Sequence, residues 1–308
     1  MVRTLCDELQ DIAIKELNEN PKSTPDDLDH IRKWALNQPH LKVKLDDQRI
    51  LTLLRCCKFS LQKAKLRIEQ LCTMKTIAPE FFGNRDPFLP EIQDLLSLGC
   101  VLPLRKESNP AAPRIILIRM LEKTASYDVN VGIKLILMTF EILMNEDDNF
   151  IICGSKVLED YKELSVNHIQ MVSPTIIKKA ITCLLTTYPL RANSFHIINA
   201  SDLFTKVINL VKPFLSEKII NKIHIYKSDD LDRLVQAIPL SILPIEYGGR
   251  GGYLTDIIAE WKLKVESYRD WFSEDYEYRS DESKRLGKPM EFNEVFGLEG
   301  SFRRLQID

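Results

Sequence analysis

Apolar residues recur at helical spacing along the first quarter of the chain. In residues 4–19 they repeat every three or four positions, which predicts an amphipathic helix. Thr24, followed by proline and two acids, has the features of a second helix start. Asp46 and Ser60 precede two further runs of the same periodicity. Residues 1–75 are therefore predicted to form a bundle of short helices.

The pattern changes in the middle of the chain. Residues 76–112 are proline-rich and are expected to be an irregular linker with one short helix. From residue 113 short apolar runs alternate with helical patterns, which favours a mostly parallel sheet covered by helices. Residues 150–160 are expected to form one of the strands, and residues 239–247 are expected to be extended. We assign 113–267 to this α/β domain. The charged, aromatic residues 268–308 are interpreted as a C-terminal extension, either a loop or a docked segment.

One strand–helix–strand unit, residues 188–227, stands out within this domain. An apolar run at 194–199 is followed by a helix at Leu203–Phe214 and a second apolar run at 223–226. The helix is unusually apolar for a surface connection. We interpret the unit as the wall of a pocket and its movable cover.

Composition narrows the function classes without choosing among them. The 308 residues carry a net charge of -2 and are 44% hydrophobic, so no global field draws the chain to nucleic acid or membrane. Seven cysteines with no paired spacing are expected to be reduced thiols. The acidic start does not resemble a signal peptide, and no apolar run has the roughly 18 residues of a membrane span. These features predict a soluble cytoplasmic protein.

Motifs for catalysis, metal binding or nucleic-acid binding were not found. The sequence lacks a phosphate loop of the form GxxxxGK[ST] and a GxSxG nucleophile motif. The five histidines have no metal-ligand spacing, and no basic-aromatic stripe is present. His196 and His224 are expected to be hydrogen-bonded core residues. We therefore predict neither an enzyme nor a nucleic-acid-binding protein.

Three blocks of residues occur in a distinctive order and spacing. They are Asp46–Leu51 with Leu54–Phe59, Tyr188–Asn199 with Val211–Ile219 and Ile223–His224, and Leu243–Gly249. Together they resemble the motifs of the CRAL-TRIO lipid-binding family over roughly residues 28–265. Within that family, the motifs look like those of the branch of the α-tocopherol transfer and retinaldehyde-binding proteins. The ending, 296–303, resembles tails of many insect members of that branch.

The resemblance implies a helical N-terminal domain followed by an α/β lipid-binding domain. One hydrophobic molecule, such as a retinoid, tocopherol or another lipid, would lie between the sheet and a gate helix. No cofactor besides this lipid and no covalent chemistry are implied. The expected protein is a cytoplasmic monomer that meets membranes peripherally and transiently. A lipid-regulated adaptor in membrane trafficking, which would use the C-terminal extension to bind partners, remains the alternative.

The family pattern also suggests which residues would contact the lipid. The expected lining is Ile133, Ile136, Phe140, Ala180, Cys183, Leu184, Tyr188, Leu190, Phe195, Ile197, Phe204, Val207, Ile208 and Val211. Periodicity alone would favour ordinary core packing for these residues, and that alternative stays open for each one. Ile136 and Phe140 occupy positions where the branch commonly has hydroxyl side chains. The ligand is therefore expected to be more apolar than tocopherol or to have a different shape.

A basic surface near the gate would meet anionic headgroups, phosphoinositides among them. The candidates are Lys58, Arg191, Lys218 and Lys222. Asn193 and Ile220 stand where the tocopherol protein is basic, which makes this surface less positive. A solvated charged face is an equally good interpretation of these residues.

Overall fold

The computed structural model describes residues 2–188, 191–227 and 231–290. The helices are α1 (Asp7–Leu17), α2 (Thr24–Leu36), α3 (Asp47–Cys56), α4 (Leu61–Ile77), α5 (Pro79–Phe82), α6 (Pro90–Leu98), α7 (Val129–Glu146), α8 (Asp148–Ile152), α9 (Val166–Gln170), α10 (Pro174–Thr182), α11 (Asp202–Val211), α12 (Glu217–Ile220), α13 (Leu231–Ala237), α14 (Leu254–Glu266) and α15 (Arg269–Tyr276). The strands are β1 (Val101–Pro103), β2 (Arg114–Arg119), β3 (Ser155–Asp160), β4 (Ala192–Ile198) and β5 (Ile223–Ile225).

Side-chain caps define where the N-terminal helices begin. The Asp46 carboxylate accepts a hydrogen bond from the Arg49 backbone N–H at 2.9 Å. The Ser60 hydroxyl accepts one from the Lys63 N–H at 3.4 Å. Each cap supplies an acceptor for a backbone donor that the helix itself leaves unpaired, so α3 and α4 begin where the sequence predicted. Helices α2, α3 and α4 then bury Ile31, Leu54 and their apolar neighbours in one cluster.

The five strands form one sheet in the order β1-β2-β3-β4-β5. Strand β1 pairs antiparallel with β2, and the remaining neighbours are parallel. The α/β fold with a mostly parallel sheet, preceded by helices, is thus confirmed. The sheet begins at Val101, inside the segment that was expected to be irregular.

Two boundaries differ from those the sequence suggested. A strand was expected to run from residue 150 to 160, but residues 148–152 form α8, and β3 starts only at Ser155. Asp147 caps α8 by accepting a hydrogen bond from the Phe150 N–H at 3.1 Å. Residues 239–247, expected to be extended, fold into turns and a short 3₁₀-helix. The prolines and the left-handed Gly248 favour this compact turn over a strand.

Helices cover both faces of the sheet. On one face α13 and α14 pack against Ile115, Leu117 and Leu158. On the other face α7 packs against Ile116 and Ile118. This second face extends across the sheet towards α11. It is the face on which a lipid would lie between the sheet and a gate helix.

The first part of the C-terminal extension is docked as helix α15. Asp275 on α15 is 5% exposed and lies within hydrogen-bond distance of Lys75 Nζ (2.5 Å), Arg49 Nη2 (2.8 Å) and Arg85 Nη2 (3.0 Å). Arg85 also pairs with Glu141 on α7. One buried carboxylate therefore joins the N-terminal helices, the α/β domain and the extension.

Candidate functional site

The floor of the candidate cavity is a row of side chains across three parallel strands. Ile118 on β2 pairs with Glu159 on β3, and Glu159 pairs with Ile197 on β4. Phe195 lies two residues before Ile197 and therefore on the same face. Ile197 is buried, whereas Ile118, Glu159 and Phe195 keep part of their surface accessible. Partial accessibility on a helix-covered face is typical of a cavity wall.

Helices α7 and α10 supply opposite parts of the wall. Ile133 and Ile136 on α7 are partly exposed and pack at the edge of the buried clusters. Ala180 on α10 and Leu184 in the following π-helical turn are also partly exposed. A single π turn re-aims side chains relative to a regular helix and is often found at functional sites. These four predicted residues therefore lie where a ligand could contact them.

Other predicted lining residues are placed in closed packing. Cys183 is fully buried, and Phe140 is 9% exposed. Tyr188 is 3% exposed, and its hydroxyl donates to Glu141 at 2.5 Å. Burial raises the pKa of the Cys183 thiol to about 12. In this conformation these three side chains are packed inside the protein. Leu190, another predicted lining residue, lies outside the described residues.

Helix α11 covers the β4–β5 side of this face, as the gate hypothesis expects. Phe204, Val207 and Ile208 pack against Ile197 and Ile223 of the sheet. Val211, at the last turn, is partly exposed. The opposite side of the helix presents exposed polar residues, namely Thr205, Lys206 and Asn209. The helix thus has one apolar face over the sheet and one polar face towards solvent.

A polar pair that the sequence interpretation missed lies under the start of α11. The Tyr161 hydroxyl donates to Glu159 Oε2 at 2.7 Å. The Tyr161 ring packs against Phe204 on α11, with centroids 4.8 Å apart. Burial raises the pKa of Glu159, and the hydrogen bond from Tyr161 offsets this only in part. Strand alternation could have indicated Glu159, because Val157 and Glu159 must share a face.

The basic candidates form a loose group beside the amino ends of the strands. Burial, then repulsion from Lys218 and Arg191, lowers the pKa of Lys222, so these three side chains are close together. Arg191 pairs with Glu16 at 2.8 Å. Lys58 belongs to the same region, because its carbonyl accepts from Asn18 Nδ2 at 3.3 Å, two residues beyond Glu16 in the chain.

These cations are not equally available to a ligand. Arg191 is partly neutralised by Glu16 and also donates to the Ile152 carbonyl. Lys222 donates to the Ala192 carbonyl at 2.6 Å. Lys58 and Lys218 have exposed side chains. The exposed pair is therefore the better candidate for meeting an anionic surface.

The two strand histidines differ from each other. His196 is 3% exposed and lies between the Ser194 hydroxyl (2.7 Å) and the Tyr226 hydroxyl (2.8 Å). Burial lowers the pKa of His196 to about 4, with further contributions from His224 and Lys156. His224 stacks on His196 but is exposed, so its expected placement in the core was wrong. Within the described ranges, no group of three or more His, Cys, Asp or Glu side chains could hold a metal ion.

Comparison with known proteins agrees with this geometry. A family model described as "CRAL/TRIO domain" matches residues 105–249, and one described as "Pinta-like, UBA domain" matches residues 20–92. The chain is 30% identical over 277 residues to an "Alpha-tocopherol transfer protein-like" protein of Homo sapiens, covering 89% of this chain and 79% of the relative. The chain belongs to the CRAL-TRIO family.

One further relative and one solved structure are similar to this chain. Clavesin-1 of Xenopus laevis is 28% identical over 236 residues, covering 76% of this chain and 70% of the relative. The crystal structure of Sfh5 has a TM-score of 0.48 at 15% identity, covering 88% of this chain and 99% of that one, a likeness too distant to carry an argument. The motifs therefore predicted the family correctly. No helix among the described residues is long and apolar enough to cross a membrane.

Proposed function

We propose that this CRAL-TRIO protein carries one hydrophobic molecule beneath helix α11 and moves it between membranes. The observation that carries the proposal is the cover itself, since α11 places Phe204, Val207 and Ile208 over a sheet face whose floor remains partly accessible. Pockets for apolar ligands combine such walls with few polar groups. No covalent step is required, and we propose none.

The hydrogen-bonded pair Glu159 and Tyr161 indicates which chemical class of lipid would bind. Glu159 stands between Ile118 and Ile197 in the floor, and its carboxyl group resists ionisation because it is buried. An uncharged carboxyl group can exchange hydrogen bonds with a hydroxyl or carbonyl head, whereas an anionic head would have to lose its hydration to enter this apolar floor. We therefore propose an uncharged lipid with a hydroxyl or carbonyl head, such as a retinoid or another isoprenoid, rather than a free fatty acid.

Transfer between vesicles tests this function. Donor vesicles would carry retinol together with a non-exchangeable quencher, and acceptor vesicles would carry neither. The purified chain is expected to accelerate the rise of retinol fluorescence in proportion to its concentration. The same assay with tocopherol and with a fluorescent phosphatidylcholine ranks the cargo classes. A rate no higher than that of spontaneous exchange for all three lipids would exclude carrier function for these classes.

Replacement of Glu159 by glutamine is expected to stabilise the protein at neutral pH. The folded-state pKa of Glu159 is raised, so as pH rises above about 4.3 the unfolded chain ionises first. Wild-type stability therefore falls relative to Glu159→Gln between that pH and the folded-state pKa. Urea unfolding at about pH 4 and about pH 7 should show a difference only at the higher pH. The exposed Glu122→Gln is the control, and a pH-independent difference for Glu159→Gln would contradict the explanation.

Removal of the two exposed cations is expected to weaken binding to phosphoinositide-containing vesicles. Each lysine near an anionic surface contributes on the order of 1 kcal/mol, so Lys58→Ala with Lys218→Ala should reduce the affinity roughly 30-fold. Vesicle co-sedimentation with and without a phosphoinositide measures the change. Lys123→Ala, an exposed lysine beyond the carboxyl ends of the strands, serves as the control. Equal losses for the control and the double variant would show a general charge effect rather than a binding surface.

A further inference from the structure

A cavity lies apart from the proposed gate, between the N-terminal helices and the end of α7. Its volume is about 410 Å³, and it runs between α3 and α4, the end of α7, and α15. We call it the interdomain groove. Leu53, Leu71, Met144 and Trp271 form apolar parts of its wall. Lys44 and Asp46 are exposed, whereas Leu53 is 7% exposed, so the groove opens towards Lys44 and Asp46 and has a buried floor.

The groove is separate from the candidate cavity proposed under α11. Ile136 on α7 packs in the cluster that includes Ile116 of the sheet. Glu141, Met144 and Asn145, one to two turns later, line the groove instead. On a helix of 3.6 residues per turn, Asn145 points about 180° away from Ile136. Filling one cavity therefore leaves the other open.

Charged side chains of the groove are already paired within the protein. The pairs are Lys44 with Glu274 (2.5 Å), Arg49 with Asp275 (2.8 Å), Lys75 with Asp275 (2.5 Å) and Glu141 with Arg85. The exposed Asp46 caps α3 at the mouth. Apart from the exposed Asp46 at the mouth, an ion entering the groove would find no unmatched counter-charge among the described lining residues and would have to give up its hydration. The arrangement favours an uncharged occupant.

One donor group in the wall is not fully paired. The buried Asn145 Nδ2 atom lies beside the Tyr268 hydroxyl, its one near acceptor among the described residues, and makes no hydrogen bond of normal geometry. Because the amide carries two N–H groups, at least one of them has no acceptor there. A buried amide donor without an acceptor costs free energy, which an oxygen atom of a ligand could recover. The volume lies within the range of small-molecule sites, and such sites occur preferentially at domain interfaces.

We propose that the interdomain groove is a second binding site, which takes a small uncharged molecule with an apolar body and one hydrogen-bond-accepting oxygen. The site differs from the gate cavity in position and holds its own ligand. Because its walls come from three parts of the chain, its occupant stabilises the docking of α15. The proposal stands independently of carrier function.

Prodan, a neutral naphthalene carrying one ketone, is a suitable probe because its emission reports an apolar environment. The delipidated full-length chain is expected to bind two prodan molecules, as counted by titration and native mass spectrometry. Leu71→Trp fills the groove and should leave one, while Ile136→Trp fills the gate cavity and should also leave one. Leu66→Trp, on the same helix but 50% exposed, should leave two.

The outcomes separate the two sites. If Leu71→Trp binds as many probes as wild type, or if wild type binds one probe that only Ile136→Trp removes, the groove proposal is overturned and the gate cavity stands. If only Leu71→Trp removes a probe, the groove stands and the gate cavity fails. Absence of binding to wild type overturns both. Met144→Trp replaces Leu71→Trp if circular dichroism shows that the latter is unfolded. The groove probe should be displaced by 1-decanol but not by decanoate. Displacement by both would contradict the proposal that the occupant is uncharged.

Discussion

Replacement of Asp275 by asparagine is expected to lower the free energy of unfolding by about 3–5 kcal/mol. The change would leave the buried Arg85 and Lys75 without their shared carboxylate and would remove the contact of Arg49. Removing one partner of a buried ionic cluster costs more than the cluster contributes, because the remaining charges stay desolvated. Urea or thermal unfolding of the purified chain measures the loss.

The pH dependence of this effect has a defined sign. Burial opposes ionisation of Asp275, but Lys75, Arg85 and Arg49 outweigh it and hold the pKa of that carboxyl well below its usual range. Its contribution is therefore present above the unfolded-state pKa of about 3.9 and is lost as the pH falls through the folded-state value. Glu277→Gln, which removes an exposed ion pair with Lys42, should cost only about 0–1 kcal/mol. Equal losses for both variants would contradict the anchoring role of Asp275.

Replacement of Val207 by aspartate should slow vesicle-to-vesicle transfer by about tenfold or more while the fold is kept. Val207 lies on the apolar face of α11 against the buried cluster around Ile197 and Phe204. A carboxylate there disfavours both the closed cover and the contact of an opened apolar face with a bilayer, and each 1.4 kcal/mol of such a cost is tenfold. Transfer of the lipid that the wild-type chain moves fastest is the measurement.

Asn209→Asp provides the matched control for this experiment. It adds the same charge to the same helix, but on the exposed face. The control should transfer lipid at nearly the wild-type rate, and both variants should show wild-type circular dichroism. If Val207→Asp transferred lipid at the wild-type rate, the proposal that α11 acts as the gate would be contradicted.

Local chemistry made much of the fold predictable. Asp46 and Ser60 cap the helices that their positions indicated, because capping depends on residues only three positions apart. The parallel sheet followed from apolar runs that alternate with helices. Residues 150–152 were mistaken for strand because a short apolar run fits either structure, and the cap at Asp147 favours the helix.

The candidate site was less accessible to sequence analysis. The family pattern suggested a gate helix and a set of lining residues. Periodicity could not separate a ligand wall from core, since neighbouring Cys183 and Leu184 are fully buried and partly exposed, respectively. Glu159 was overlooked because a charged residue near the end of a run suggests that the strand is leaving the core. The role of Asp275 could not be predicted, since its partners lie 190–226 residues away in the sequence and leave no local signal.

Solvent extraction of the purified chain followed by mass spectrometry tests the central claim most directly. The account predicts one hydrophobic, uncharged molecule per chain that survives purification or is taken up from vesicles. Ile136→Trp, which fills the cavity under α11, should lose this molecule and remain folded. A wild-type chain that contains no lipid and takes none up would contradict the carrier function.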